Sequence, residues 1–254
     1  MIGLIVLGAS GCGKTTFCCA MKKFVNSTEE HPIFVNLDPG NNLALHKIDI
    51  NIQELINSFE IMPELNLGPN GSFLYSIEYF ERNGDWFENK FSNLIKKSDH
   101  YFLLFDFPGQ IELFTHHVSV RKFVKKILFV KMDLVGITLS DSFFFKDNSS
   151  KNSLLLISII MMLNIELPHV HLLSKSDLLN YQNLTSNFDN FHFDKFKYTI
   201  KNIQTSCFSW SKKLLYDFTQ LITEFSVLNI IPVSIYFPNS IKIIYKKVKS
   251  IIKL

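Results

Sequence analysis

A lysine and a threonine close the glycine-rich stretch Gly8-Ala9-Ser10-Gly11-Cys12-Gly13-Lys14-Thr15 near the start of this 254-residue chain. Every fixed position of G-x-x-x-x-G-K-[ST] is filled, between an apolar run and a helical pattern. In such a loop Gly8, Gly11 and Gly13 let the backbone curl, so that its N–H groups turn inward on phosphate oxygens. The helix that begins here adds positive potential. Lys14 is expected to bridge β- and γ-phosphates and Thr15 to offer its hydroxyl to Mg2+. Cys12 and Thr16 belong to the same cradle. A chance glycine turn is the plain alternative, and the flanking strand and helix argue against it. The signal is strong for a nucleoside triphosphate and silent on the base.

Two further stretches carry chemistry. In Asp106-Phe107-Pro108-Gly109-Gln110, a carboxylate ends an apolar run. Asp106 is placed to hold Mg2+, the Gly109 amide to sense a γ-phosphate, and Gln110 to orient an attacking water. An ordinary strand-to-turn junction uses similar residues; beside the phosphate loop, a hydrolase reading is favoured. In Ser174-Lys175-Ser176-Asp177, the Asp177 carboxylate can accept hydrogen bonds from guanine N1 and N2. Adenine offers no such donors, so one carboxylate can discriminate strongly. Lys175 can lay its aliphatic stem along the base.

These residues need a scaffold that brings distant loops to one edge. Apolar runs at Ile2–Leu7, Ile33–Leu37, Tyr101–Phe105, Leu134–Leu139, Val170–Leu173 and Val227–Ile231 read as strands buried on both faces. Helix-length segments lie between them at Thr15–Val25, Phe73–Lys97, Asn152–Asn164 and Trp210–Phe225. That alternation predicts an α/β P-loop NTPase fold, with a mostly parallel central sheet and helices on both faces. The reading is a single domain over 1–254, irregular near Asn41–Asn51, Lys146–Lys151 and Tyr181–Tyr198. A terminal helix, Asn239–Lys253, carries an apolar stripe that suits packing on the sheet better than a membrane surface.

Composition narrows the function classes. Hydrophobic residues make up 47% and charged residues 19%, enough apolar surface to exclude a disordered or fibrous chain. A net charge of +3 is too small to argue for direct nucleic-acid binding. The cysteines Cys12, Cys18, Cys19 and Cys207 form no C-x-x-C pair, which disfavours zinc and thioredoxin-type sites. Leu154–Leu163 is too short to span a bilayer. The expectation is a soluble, intracellular protein with no membrane partner.

In order along the chain, these motifs resemble the GPN-loop GTPase family. The tripeptide that names the family is Gly68-Pro69-Asn70, followed by Gly71 and a helix. Val35-Asn36-Leu37-Asp38-Pro39, Asp106 to Glu112, Phe114-Thr115-His116-His117, Glu166-Leu167-Pro168-His169 and Ser174 to Asp177 also match. The Leu-Pro-His and Thr-His-His details are most similar to the second eukaryotic paralogue type. The resemblance divides the domain into a core, a Gly-Pro-Asn insertion at about 66–98 and a helical insertion at about 181–210. It implies a Mg2+-dependent hydrolase converting GTP to GDP and phosphate, and a homodimer or a heterodimer with a related chain. It places Asn70 at the γ-phosphate or attacking water of the other subunit, and Asp38 near Mg2+ or the hydrolytic water. The local alternative for Asn70 is a helix N-cap.

The resemblance also implies a cytoplasmic protein shuttling to the nucleus, which helps assemble and import RNA polymerase II through its subunits or assembly factors. A GTP-binding scaffold with negligible hydrolysis and an ATP-using kinase or ligase are the competing functions. Three departures from the family pattern stand out: Gly40-Asn41-Asn42 replaces an Ala-Asn-acid continuation, Ser140-Asp141 replaces a Val-Asp pair, and Asn229 stands where the late base-side motif tends to carry Ser.

Overall fold

Alternation along each central strand divides its side chains between two faces. In β1 (Ile2–Gly8), Leu4 and Val6 join one apolar cluster, Ile5 and Leu7 the other, and all four are fully buried. A strand with no solvent face needs helices on both sides, and the computed structural model of the chain has them. It describes residues 1–41, 48–95, 100–129, 132–145, 148–178, 217 and 230–252. After β1 come α1 (Lys14–Val25), β2 (His31–Asn36), β3 (Ile50–Asn51), α2 (Ser58–Glu64), α3 (Pro69–Arg82), α4 (Gly84–Leu94) and β4 (Tyr101–Asp106). Then follow α5 (Glu112–Thr115), α6 (Ser119–Phe129), β5 (Asp133–Asp141), α7 (Asn148–Ile165), β6 (His169–Ser174), β7 (Ile230–Pro232) and α8 (Pro238–Ile252). Among the described residues the seven strands form one sheet, ordered β3-β2-β4-β1-β5-β6-β7, and every pairing is parallel.

One face is covered by α1 and α8, through Phe17, Met21, Ile241, Ile244 and Val248. The other is covered by α3, α4, α6 and α7. On that second face Phe80, Phe87, Phe105 and Phe123 pack ring against ring, with Phe80 and Phe123 centroids 4.7 Å apart. Each such pair contributes about 0.5–1.5 kcal/mol beyond burial. Together they fix α3, and with it the Gly-Pro-Asn end, against β4. The apolar stripe of α8 packs on the first of these faces, through Ile241, Ile244 and Val248. Among the described residues no helix is long and apolar enough to cross a membrane.

Three local expectations change. The long helix over Phe73–Lys97 is two helices, divided where Asn83 turns its amide back to the Tyr79 carbonyl, 2.8 Å, ahead of Gly84. The first of them starts earlier, because Pro69 carries a preset φ and needs no N–H partner at the first helical position. The region expected to be irregular around Asn41–Asn51 holds β3, where Val35 and Asn36 pair with Ile50 and Asn51. The expected helical insertion at about 181–210 and Asn229 lie outside the described residues.

Candidate nucleotide site

The phosphate loop hangs from the central strand. Because β1 lies between β4 and β5, the loop leaves the sheet where connections part to either side, the crevice where open α/β sheets bind ligands. Gly13 caps α1 in the left-handed region, φ 92°, a conformation that side-chain-bearing residues resist. Lys14 is buried, and its ammonium donates to the carbonyls of Gly8 at 3.1 Å and Ala9 at 3.0 Å. The charge is thus held across the mouth of its own loop. Thr16 is exposed on the first turn of α1, and Cys12 is buried beneath the loop, where burial raises its thiol pKa.

Register brings the first carboxylate in. Asp106 pairs with Val6 of β1 and Asn36 of β2, so it stands at the end of β4 beside the loop. Thr15 Oγ1 donates to Asp106 Oδ2 at 2.6 Å. The second oxygen, Oδ1, is buried without a partner. Burial raises the Asp106 pKa to about 6, against the opposing pull of Thr15 and Lys14. Asp38, just past β2, is raised in the same direction by burial, and its Oδ1 accepts the Gly40 N–H at 3.0 Å. A hydroxyl, a carboxylate and an orphaned carboxylate oxygen are hard donors of the kind Mg2+ takes alongside phosphate and water. Thr15 and Asp106 would hold that ion, with Asp38 behind them.

The segment after β4 closes on the loop. A Cβ on Gly109 would lie 2.6 Å from Ser10 Cα and 2.9 Å from Lys14 Nζ, so only glycine fits. Next to it Gln110 Nε2 donates to Asn70 Oδ1 at 3.0 Å. Gly68 is the N-cap of α3, so Asn70 lies inside the helix and is exposed; the capping alternative fails. The Gly40 departure has a packing reason: a Cβ there would meet the Phe73 ring at 2.4 Å. The α3 ring and the Asp38–Gly40 turn therefore touch directly.

At the far side, Ser174 ends β6. Its hydroxyl donates to the Cys12 carbonyl at 2.7 Å, tying the Ser174–Asp177 segment to the phosphate loop. Lys175 adopts φ 54°, and its ammonium pairs with Asp141 Oδ2 at 2.6 Å. Asp177 follows half-buried on the same edge. Ala9 to Cys12 also line a cavity of about 560 Å³ closed by the end of β5 and by Leu154, Ile157 and Met161 of α7. Its walls are mainly apolar, which suits neither a phosphate nor a metal ion.

The fold thus gathers Lys14, Thr15, Asp38, Asp106, Gly109, Gln110 and Asn70 around one loop, with Ser174, Lys175 and Asp177 beside it. Glu112 is exposed and stands apart. Two neighbours escaped the motif reading. Asn41 Nδ2 donates to Thr15 Oγ1 at 3.0 Å, and Asp141 holds Lys175. Both lie in stretches that depart from the family pattern; that Asp141 meets Lys175 is visible only through strand register.

A family described as "Conserved hypothetical ATP binding protein" matches residues 6–254. GPN-loop GTPase QQT1 of Arabidopsis thaliana is 42% identical over 191 residues, 74% of this chain and 63% of that protein. GPN-loop GTPase 2 of Danio rerio is 35% identical over 237 residues, 92% of this chain and 75% of that protein. The chain therefore spans somewhat less than two thirds of the plant relative and three quarters of the fish one. In structure it is similar to a GTPase in apo form from Pyrococcus abyssi, with TM-score 0.80 over 98% of this chain and 96% of that one. At 20% identity that likeness speaks for the fold, a P-loop NTPase sheet. With the motifs in order along one edge of that sheet and relatives of this similarity, the chain belongs to the GPN-loop GTPase family.

Proposed function

We propose that the chain hydrolyses GTP to GDP and phosphate, with Mg2+, as a dimeric nucleotide switch. The observation that carries the reading is the Thr15–Asp106 hydrogen bond, with a free carboxylate oxygen beside a loop spanned by Lys14. The Lys14 ammonium leaves the Gly8 and Ala9 carbonyls to donate to phosphate oxygens, and stabilises charge that develops on the transferred group. Thr15 and Asp106 would hold Mg2+, which would supply charge neutralisation to the phosphates. Gly109 brings its backbone against the loop, where the terminal phosphate ends. Gln110 and Asn70, joined through their amides, orient water at that end. Asp177 selects guanine by accepting from its N1 and N2 hydrogens. By family resemblance, the switch serves RNA polymerase II assembly and nuclear import, with polymerase subunits or assembly factors as partners.

The experiment is competition binding followed by single turnover. GTP is expected to displace labelled GDP far better than ATP does, and Asp177→Ala to erase that preference. Equal affinity for GTP and ATP in the unaltered chain would overturn the base assignment. Phosphate release with Mg2+ is expected from the unaltered chain and not from Lys14→Ala. If the two are equally inactive, the chain is a GTP-binding scaffold.

A further inference from the structure

Lys175 occupies an unusual backbone position for a side-chain-bearing residue, φ 54°. A conformation of this kind costs on the order of 1–3 kcal/mol and persists only where its surroundings hold it. They do so here from the neighbouring strand. Asp141 and Ser174 are partners in the β5–β6 register, so the carboxylate stands opposite the residue that precedes Lys175. Asp141 Oδ2 accepts from the Lys175 ammonium at 2.6 Å, while its Oδ1 accepts the Phe143 N–H at 2.9 Å. Ser142 Oγ donates to the Lys175 carbonyl at 2.8 Å. The Lys175 backbone and its charged tip are therefore both fixed by the turn that ends β5. The two ends of the ion pair differ in exposure: Asp141 keeps 16% of its side-chain surface and Lys175 keeps 40%. The anion is anchored, and the exposed part of the pair is the lysine.

We infer that Asp141 is a positioning residue for nucleotide binding: it draws the Lys175 ammonium toward β5 and so holds the lysine's methylene stem as a wall for the purine. The inference rests on the base site proposed above and adds a residue to it. A tethered stem presents apolar surface to a ring without reordering on binding, whereas a free lysine loses rotamer entropy when it is immobilised. Such a wall has no hydrogen-bonding preference. It strengthens binding of every purine nucleotide alike and leaves the choice between guanine and adenine to Asp177.

The test is a double-mutant cycle on the full chain, read by titration with ribose-labelled GDP and by steady-state hydrolysis. Asp141→Asn is expected to weaken GDP about tenfold, within the range for neighbours in one network. KM for GTP should rise in step, with kcat and the GTP-over-ATP preference kept. Lys175→Met, which retains the stem and loses the tether, should weaken GDP similarly, and the double variant no further than either alone. Losses that multiply in the double variant, or GDP affinity unchanged in Asp141→Asn, would overturn the inference. Should Asp141→Asn fail to fold, Lys175→Arg against Lys175→Met decides, since arginine keeps the pair and is expected to keep affinity; equal loss in both overturns it. An unaltered chain that binds GDP no better than ADP fails the base reading itself; guanine preference intact with Asp141→Asn silent fails only this inference.

Discussion

Gln110 and Asn70 of one chain are joined side chain to side chain, with Gln110 Nε2 donating to Asn70 Oδ1 at 3.0 Å. Gln110 follows Gly109, which lies against Ser10, and Asn70 lies in the first turn of the helix that the Phe80 cluster pins to β4. The phosphate loop, the segment after β4 and the Gly-Pro-Asn helix thus form one connected unit within a single chain. A role for Asn70 in a partner's site requires this bond to be exchanged or shared. Asn70→Ala is expected to slow single-turnover GTP hydrolysis about 100-fold, the scale for losing one preorganised polar group. If Asn70 acts across a dimer, mixing Asn70→Ala with Lys14→Ala should recover part of the activity; no recovery at any ratio assigns Asn70 to its own site.

Asp106 links pH to both stability and binding. Burial raises its pKa from 3.8 to about 6. For an acid raised on folding, the stabilising contribution is fully present below the ordinary value and is lost as pH rises through about 6. The ligand-free chain at pH 7 therefore carries a buried carboxylate at a cost, and Asp106→Asn should raise its Tm there. Binding runs the other way, because Mg2+ needs the ionised form. GTP affinity in Mg2+ should fall as pH drops below about 6, and the fall should be shallower in Asp106→Asn. A thermal melt at pH 7 measures the first, and calorimetric titrations at pH 7 and pH 5 the second.

Gly109 sets how closely the segment after β4 approaches the loop. Gly109→Ala places a methyl 2.6 Å from Ser10 Cα, a backbone atom that cannot swing aside. The expected result is a chain with unchanged circular dichroism and a large loss of GTP affinity, on the order of 10-fold or more from a displaced phosphate site. GTP affinity equal to that of the unaltered chain would show that the segment moves freely.

His171 gives the fold an acid limit. It is buried on β6 with both ring nitrogens unpartnered, 5.0 Å from the His169 ring. Burial lowers its pKa from 6.5 to about 4, and burial with its His171 neighbour lowers His169 to about 3. A base depressed on folding contributes stability above its ordinary pKa and loses it as pH falls toward the folded value. Stability should drop between pH 6.5 and pH 4, with His171 supplying on the order of 3 kcal/mol. His171→Phe is expected to flatten this decline in urea melts across that window; an unchanged slope removes His171 from the account.

The amino-acid order by itself determined the strand–loop–helix of the phosphate site, the parallel sheet and the identity of the charged groups. These rest on local rules: glycines at fixed spacing, apolar runs with two buried faces, and turn residues after strands. Tertiary structure decided which of those groups meet. Thr15 and Asp106 are far apart in sequence and touch only because β1 and β4 pair in parallel register. Asp141 reaches Lys175 for the same reason on the other side of β1, and Ser174 turns its hydroxyl to the Cys12 carbonyl. Asn70 became a helix residue facing Gln110 because Pro69 fits the first helical turn and the aromatic core holds that helix against the sheet. Spacing along a chain encodes local conformation; contacts between strands depend on register and on the packing of every layer at once, which no single motif contains.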